Sequence, residues 1–376
     1  MYASLKKNPM YIYLLLLTAG TAAALQGWNT LFNNFAVDNA GLNGLQVGAI
    51  QSVREIPGFL SLLVIYALFL MKEHRLAVFS VFLCGAGVMV TGMFPSFTGI
   101  MVTTFITSLG FHYFETTNQS LSLQYFNHLE TPVVLSKMRS LNAMVNILVG
   151  VMIWGLSSFM GIPWLFAVTG GIVVLISIYA ARMKPHRSDL PLQHKKFIFK
   201  RKYLLFYVLN FLSGARRQIF TVFAVYLMVN RYGYSIKGVT VLFLINNVIN
   251  YFLSPMIGRA INRFGERKLL TAEYLTISFV FLAYAFTDSP YVAAGLYVID
   301  NIFFNFAIAI RTYFQKVGEP ADIAPSMAVG FTINHIAAVV IPVFGGALWL
   351  VDYRIPFVGG AVLGMMSLLC VSRIKT

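Results

Sequence analysis

Apolar residues in this chain are gathered into blocks divided by short polar punctuation, and most blocks approach the roughly 20 residues a helix needs to cross about 30 Å of hydrocarbon. Twelve are predicted as spans: Tyr11 to Leu31, Val47 to Met71, Leu76 to Phe94, Phe97 to Tyr125, Leu141 to Phe159, Pro163 to Arg182, Tyr203 to Val229, Val239 to Ile257, Leu269 to Phe286, Tyr291 to Ile310, Met327 to Leu350, and Ile355 to Cys370. The pattern predicts an all-α integral membrane protein. The first block runs from Lys6 and Lys7 into Gln26, Asn29 and Asn33 without a small-residue cleavage site, so it is expected to be a retained span and not a removed signal peptide.

The charges test this reading independently of hydropathy, because Lys and Arg accumulate in cytoplasmic connections. Of 28 Lys and Arg, 22 lie at the N-terminus, the C-terminus and in every second connection; only Arg231, Lys237 and Arg354 lie in the alternate ones. Arg54, Arg216 and Arg217 remain inside spans. Both termini are therefore expected to be cytoplasmic, in a multi-pass protein of a plasma membrane such as the bacterial inner membrane. The net charge of +15 is then a topology signal, and nucleic acid is not expected as a partner. Composition agrees: 58% hydrophobic and 11% charged residues, against about 25% charged in ordinary soluble domains. Cys84 and Cys370 both lie in apolar blocks, which excludes a disulfide framework or a thiolate metal site. The one long polar stretch, 183–202, is read as a basic cytoplasmic linker between an N-terminal six-helix bundle at 1–182 and a C-terminal one at 203–376.

Duplicated halves should align special residues at a fixed offset. At an offset of 193, Phe59-Leu60-Ser61 falls on Phe252-Leu253-Ser254 and Glu73-His74-Arg75 on Glu266-Arg267-Lys268. At 188, Tyr125-Phe126 falls on Tyr313-Phe314, Pro132 on Pro320, Asn146 on Asn334, and His112 on Asp300. Between spans eight and nine the chain reads Gly258-Arg259-Ala260-Ile261-Asn262-Arg263-Phe264-Gly265-Glu266-Arg267-Lys268. This resembles the cytoplasmic loop signature of the major facilitator superfamily. Glycines there permit close helix approach and positive φ, and the cations serve topology and helix C-termini. Asn262 stands where the family has aspartate, and the copy between spans two and three keeps Glu73-His74-Arg75 but not the glycines. The resemblance implies two pseudo-symmetric six-helix bundles and a secondary transporter working by alternating access. It also implies a gating loop whose positions here are Gly258, Asn262, Gly265 and Arg267.

Ionisable and amide side chains at membrane depth are costly and therefore mark function by default. Arg54, Arg216 and Arg217 offer permanent charge and bidentate donors, with Gln26, Asn29, Asn247 and Asn334 as polar partners; these seven are the expected substrate-binding residues. Glu55, His112, Glu115, Asp300 and His335 can change protonation and are the expected proton-coupling residues. The alternative for any charge is a structural ion pair, with Arg54 or Arg216 neutralised by Glu55, Glu115 or Asp300. By the family resemblance, spans one, two, four, seven, eight, ten and eleven flank a central cavity. Spans three, six, nine and twelve are read as lacking mid-span charge.

A proton-coupled carrier of an organic or inorganic anion follows, the rival being proton-coupled efflux of lipophilic cations by an aromatic-lined pocket. A membrane enzyme would need a nucleophile with its base, a metal motif or a nucleotide loop, and none is spaced for it; His112 and Glu115, three apart, are one pair without further ligands. A receptor would need a soluble output domain. No cofactor and no metal are expected, and the carrier is expected to be a monomer in the bilayer, with a small molecule and protons as its partners.

Overall fold

A computed structural model describes residue 5, residues 8–185, residue 187 and residues 189–375, the side chains of Ile236 and Lys237 apart. Lys6 and Lys7, two of the topology charges, lie outside the described residues, as do positions 186 and 188 of the linker. The fold is 85% helical, and no strand occurs among the described residues.

In chain order the helices are α1 (Pro9–Asn34), α2 (Gly44–Phe59), α3 (Val64–Leu70), α4 (Glu73–Thr91), α5 (Phe97–Tyr125), α6 (Glu130–Leu156), α7 (Ile162–Ala181), α8 (Leu204–Gln218), α9 (Val225–Asn230), α10 (Ile236–Phe286), α11 (Pro290–Phe304), α12 (Ile308–Val317), α13 (Ile323–Val351) and α14 (Arg354–Val371). Among the described residues nine helical stretches are long and apolar enough to cross a membrane. One of them, Gly238–Phe286, doubles: Gly265, at φ 79° and ψ 161°, separates two spans. The twelve-span count is completed by α5, made more polar by residues such as His112, Glu115 and Gln119, and by Leu204–Asn230, whose helix is interrupted by a π turn at Ile219–Ala224. The exposed surface carries Leu70, Phe159, Tyr291 and Leu350, each at least 85% exposed, as expected of side chains facing lipid.

Local chemistry sets the helix ends. Asn8 caps α1, its side chain accepting from the Met10 amide with Pro9 at the first turn, and Asn43 with Gln46 forms a reciprocal capping box on α2. Pro57 has no amide to give the carbonyl four residues back, and α2 passes into a 3-10 turn at Leu60–Leu63 before α3 resumes the span. Pro342 lies inside α13, which continues to Val351.

The α6 and α13 helices start earlier than the apolar blocks by the widest margins. The α6 helix begins at Glu130 and not Leu141, because Asn127 accepts from the Leu129 and Glu130 amides while Glu130 accepts from the Asn127 amide. The α13 helix begins at Ile323 and not Met327. These added turns bear on domain organisation. One compact unit comprises the chain up to Tyr125, Leu141–Phe197 and Pro320–Ala328; the other comprises Phe126–Ser140, Ile198–Glu319 and Val329 onward. The units thus differ from the sequence halves in two segments, each joining the opposite half.

Candidate functional site

An arginine–carboxylate pair at membrane depth is found in each unit. In the first unit α2 presents Arg54 and Glu55, the guanidinium reaching Glu55 at 3.2 Å and donating to the Asn29 side-chain oxygen of α1 at 3.2 Å. The same guanidinium lies 5.2 Å over the ring of Trp28, a cation–π position. Behind it, Ser108 of α5 donates to the Arg54 carbonyl and lies 3.0 Å from His112 Nδ1. Glu55 and His112 bring ligand-type atoms within 4.8 Å of one another. Arg54 and Glu55 keep 32% and 37% of their side-chain surface, so solvent reaches the pair.

In the second unit Arg216, near the end of α8, meets Glu273 of α10 at 2.6 Å, with 1% and 0% exposure. Its guanidinium lies 5.0 Å from the Tyr274 ring centre, and its Nε and Nη1 have no hydrogen-bond partner among the described residues. Asp300 of α11 is 1% exposed, and its Oδ2 likewise has no partner among the described residues. Arg217 follows Arg216 by one residue, about 100° around the helix, and is half-buried. The π turn Ile219–Ala224 begins immediately beyond, a widening often found beside functional residues.

Glu273 is a correction to the expectation that span nine carries no embedded charge. It is the one acidic residue in Leu269–Phe286, and that was the available signal. The carboxylate that Arg216 meets is Glu273, a partner the sequence reading did not name.

The remaining expected residues are dispersed. Gln26 donates to Thr30 on its own helix at 3.1 Å, and Asn247 to the Phe243 carbonyl at 3.0 Å. Asn334 donates to the Asn210 carbonyl at 3.0 Å, tying α13 to α8. Glu115 is half-buried on α5. His335 is buried, with Nδ1 2.9 Å from the Phe331 carbonyl and its ring stacked on Phe331 at 4.5 Å. An amide group not anticipated as a unit joins α10 to α11: the Asn250 oxygen accepts from Asn301 at 3.1 Å and from Asn305 at 2.7 Å.

The glycine-rich loop is held by contacts within the second unit. A Cβ on Gly258 would lie 2.3 Å from Ser136 Oγ and 2.5 Å from the Pro132 carbonyl, so α10 approaches α6 only because residue 258 is glycine. Asn262 donates to the Leu129 carbonyl at 2.7 Å. Arg267 is exposed, while Glu266 is buried and accepts from Lys316 of α12 at 2.7 Å. Its counterpart in the first unit, Glu73, accepts from Gln124 of α5 at 2.8 Å. Acid and partner thus recur at the equivalent corner of each unit.

These features coincide with what comparison finds. The sequence matches the profile described as Major Facilitator Superfamily over residues 62–342, roughly three quarters of the chain. No curated protein matches it in sequence. The structure is similar to that of FucP, the E. coli fucose:proton symporter, in its outward conformation, with TM-score 0.75, 14% identity, and coverage of 97% of this chain and 98% of that one. It is similar to the human organic anion transporter MFSD10, with TM-score 0.68, 13% identity, and 98% and 99% coverage. It is also similar to a bacterial homologue of the iron transporter ferroportin in an outward-facing state, with TM-score 0.75, 14% identity, and 97% and 99% coverage. Likeness at such identities speaks for the fold, and the profile match for the family. The chain belongs to the major facilitator superfamily, a multi-pass membrane transporter of a small solute.

Proposed function

We propose that this transporter is a proton-coupled carrier of a small organic or inorganic anion, working by alternating access, with the anion taken by Arg54 and the proton by Glu55. The observation that carries the reading is the state of Arg54: at membrane depth, solvent-reached, flanked by Trp28 and Asn29, and neutralised among the described residues by the residue next to it in sequence. An ion pair that is partly hydrated contributes little to stability, so its place in a membrane helix is better explained by exchange of partners than by packing. While Glu55 is ionised it occupies the guanidinium. When Glu55 takes a proton, the Arg54 donors become available to a carboxylate or phosphate of the solute, for which a planar guanidinium is suited. Anion and proton then enter together with no net charge, which lowers the cost of carrying either through a low-dielectric interior. His112, within 4.8 Å of Glu55, is positioned to hand that proton on. Asp300, beside the Arg216–Glu273 pair, is a second candidate for the coupled proton. Arg217, half-buried on α8, is the second candidate anion ligand.

Two structural neighbours, an organic anion transporter and a fucose:proton symporter, have functions of their own that agree with the two parts of this reading. The test is thermal stability of the purified chain against a panel of carboxylates, phosphates, neutral sugars and lipophilic cations at pH 5.5 and 7.5. A ligand at 100 times its Kd adds about 2.7 kcal/mol. Stabilisation by an anion, larger at the lower pH and lost in Arg54→Ala, is expected. Stabilisation by lipophilic cations alone would replace anion carriage with drug efflux.

A further inference from the structure

A second site lies in the first unit, away from both arginine pairs. A cavity of about 680 Å³ opens between the α3–α4 corner, the end of α5 and a strap that comprises Arg187 and residues 190–195, within the range of ligand-sized pockets. Lys72, Arg75, Arg187 and Lys195 line it, over a floor that includes Leu68 and Leu121. Arg187 pairs with Asp189 at 2.5 Å. Lys72, Arg75 and Lys195 meet no carboxylate among the described residues; Lys195 lies 5.4 Å over the Phe69 ring. Glu73, the one acid of the lining, is engaged by Gln124. Three cations of the lining thus have no carboxylate partner among the described residues. The cavity mouth, in contrast, is apolar: Leu70 and Leu192 are 85% and 91% exposed.

We propose that this cavity binds an anionic phospholipid, with the phosphate on Lys72, Arg75 and Lys195 and the upper acyl methylenes against Leu68, Leu70 and Leu192. Basic groups beside an apolar wall at the end of a membrane helix are the chemistry that recognises such headgroups. Free phosphate would satisfy the cations but leave the apolar mouth uncovered. Occupancy has a mechanical consequence, because the strap that closes the cavity also grips the start of span eleven. Gln193 donates to the Pro320 carbonyl at 2.8 Å and accepts from the Ala324 amide at 2.9 Å, and His194 lies 2.8 Å from the buried Asp322. A lipid holding the strap in place would hold these contacts with it.

The test uses the full chain purified in detergent and examined by native mass spectrometry with dioleoylphosphatidylglycerol or dioleoylphosphatidylcholine added. One retained phosphatidylglycerol, little phosphatidylcholine, and roughly tenfold weaker retention in Lys72→Gln/Arg75→Gln are expected, since each cation near an anionic lipid contributes on the order of 1 kcal/mol. In parallel, acetylation of Lys72 and Lys195 in the unaltered chain should slow with phosphatidylglycerol and not with millimolar inorganic phosphate, which decides the matter even if the variant does not fold. Equal retention of the two lipids, or unchanged retention by the variant, overturns the site. Protection by inorganic phosphate alone overturns the lipid assignment in favour of a free-phosphate site.

Discussion

The two units each place an arginine against a carboxylate at membrane depth, yet the pairs are built differently. Arg54 and Glu55 are adjacent in sequence and about one third exposed, whereas Arg216 and Glu273 are 57 residues apart and closed off from solvent. In the first pair neither charge depends on the other for solvation, so the partners can separate. In the second, each charge is compensated chiefly by its partner, and separation leaves a bare ion in a dry interior. On the proposed reading, exposure and the sequence distance of the partner divide an exchangeable ligand, Arg54, from a tie between helices, Arg216.

The comparison breaks first at Arg216. Arg216→Ala leaves Glu273 buried and uncompensated, a loss of about 3–5 kcal/mol; a collapse of thermal stability and loss of monodisperse protein on size exclusion are expected. Arg216→Ala is therefore unsuited to testing transport, in contrast with what its position in the sequence suggests. Arg54→Ala should abolish anion uptake in proteoliposomes while changing stability by less than about 1 kcal/mol. A large melting-temperature drop there would erase the distinction between the pairs. Next in size, Gly258→Val drives a side chain into Ser136 and the Pro132 carbonyl. Overpacking of this kind costs about 1–3 kcal/mol, readable as a lowered melting temperature and slowed transport.

Asn262→Asp sharpens the departure from the family signature. The amide donates to the Leu129 carbonyl, and a carboxylate cannot, so restoring the family's residue should destabilise this chain by about 1 kcal/mol instead of improving it. The smallest effect lies outside the spans. Lys200 and Lys202 hold Glu319 below its ordinary value of 4.5 by hydrogen bonding to its ionised form. A depressed acid contributes stability above its unfolded pKa and loses it as pH falls through the folded one. Glu319→Gln should therefore melt slightly lower than the unaltered chain at pH 6, with the difference closing as pH falls below about 4.5.

Much of the fold was legible because its signals are one-dimensional. Apolar blocks and the alternation of Lys and Arg gave twelve spans, and Gly258 through Lys268 pointed to the family. The first turns of α6 escaped because 130–140 carries Lys137 and Arg139 among Val133, Val134 and Leu135, an amphipathic stretch that hydropathy alone divides from the apolar block behind it. The candidate site was legible only in part. Arg54 with Glu55 could be read because they are neighbours, but the partner of Arg216 could not, since the sequence offers several embedded acids and only three-dimensional packing selects Glu273. The partition of residues 126–140 and 320–328 between the units has the same origin, being a property of tertiary contact.

Release of Arg54 by protonation of Glu55 is best probed by anion accumulation in proteoliposomes under an imposed proton gradient, for the unaltered chain and for Glu55→Gln. Gradient-driven accumulation is expected in the former, and in the latter anion exchange that persists but no longer responds to the gradient. Gradient-driven accumulation by Glu55→Gln equal to that of the unaltered chain would contradict that release.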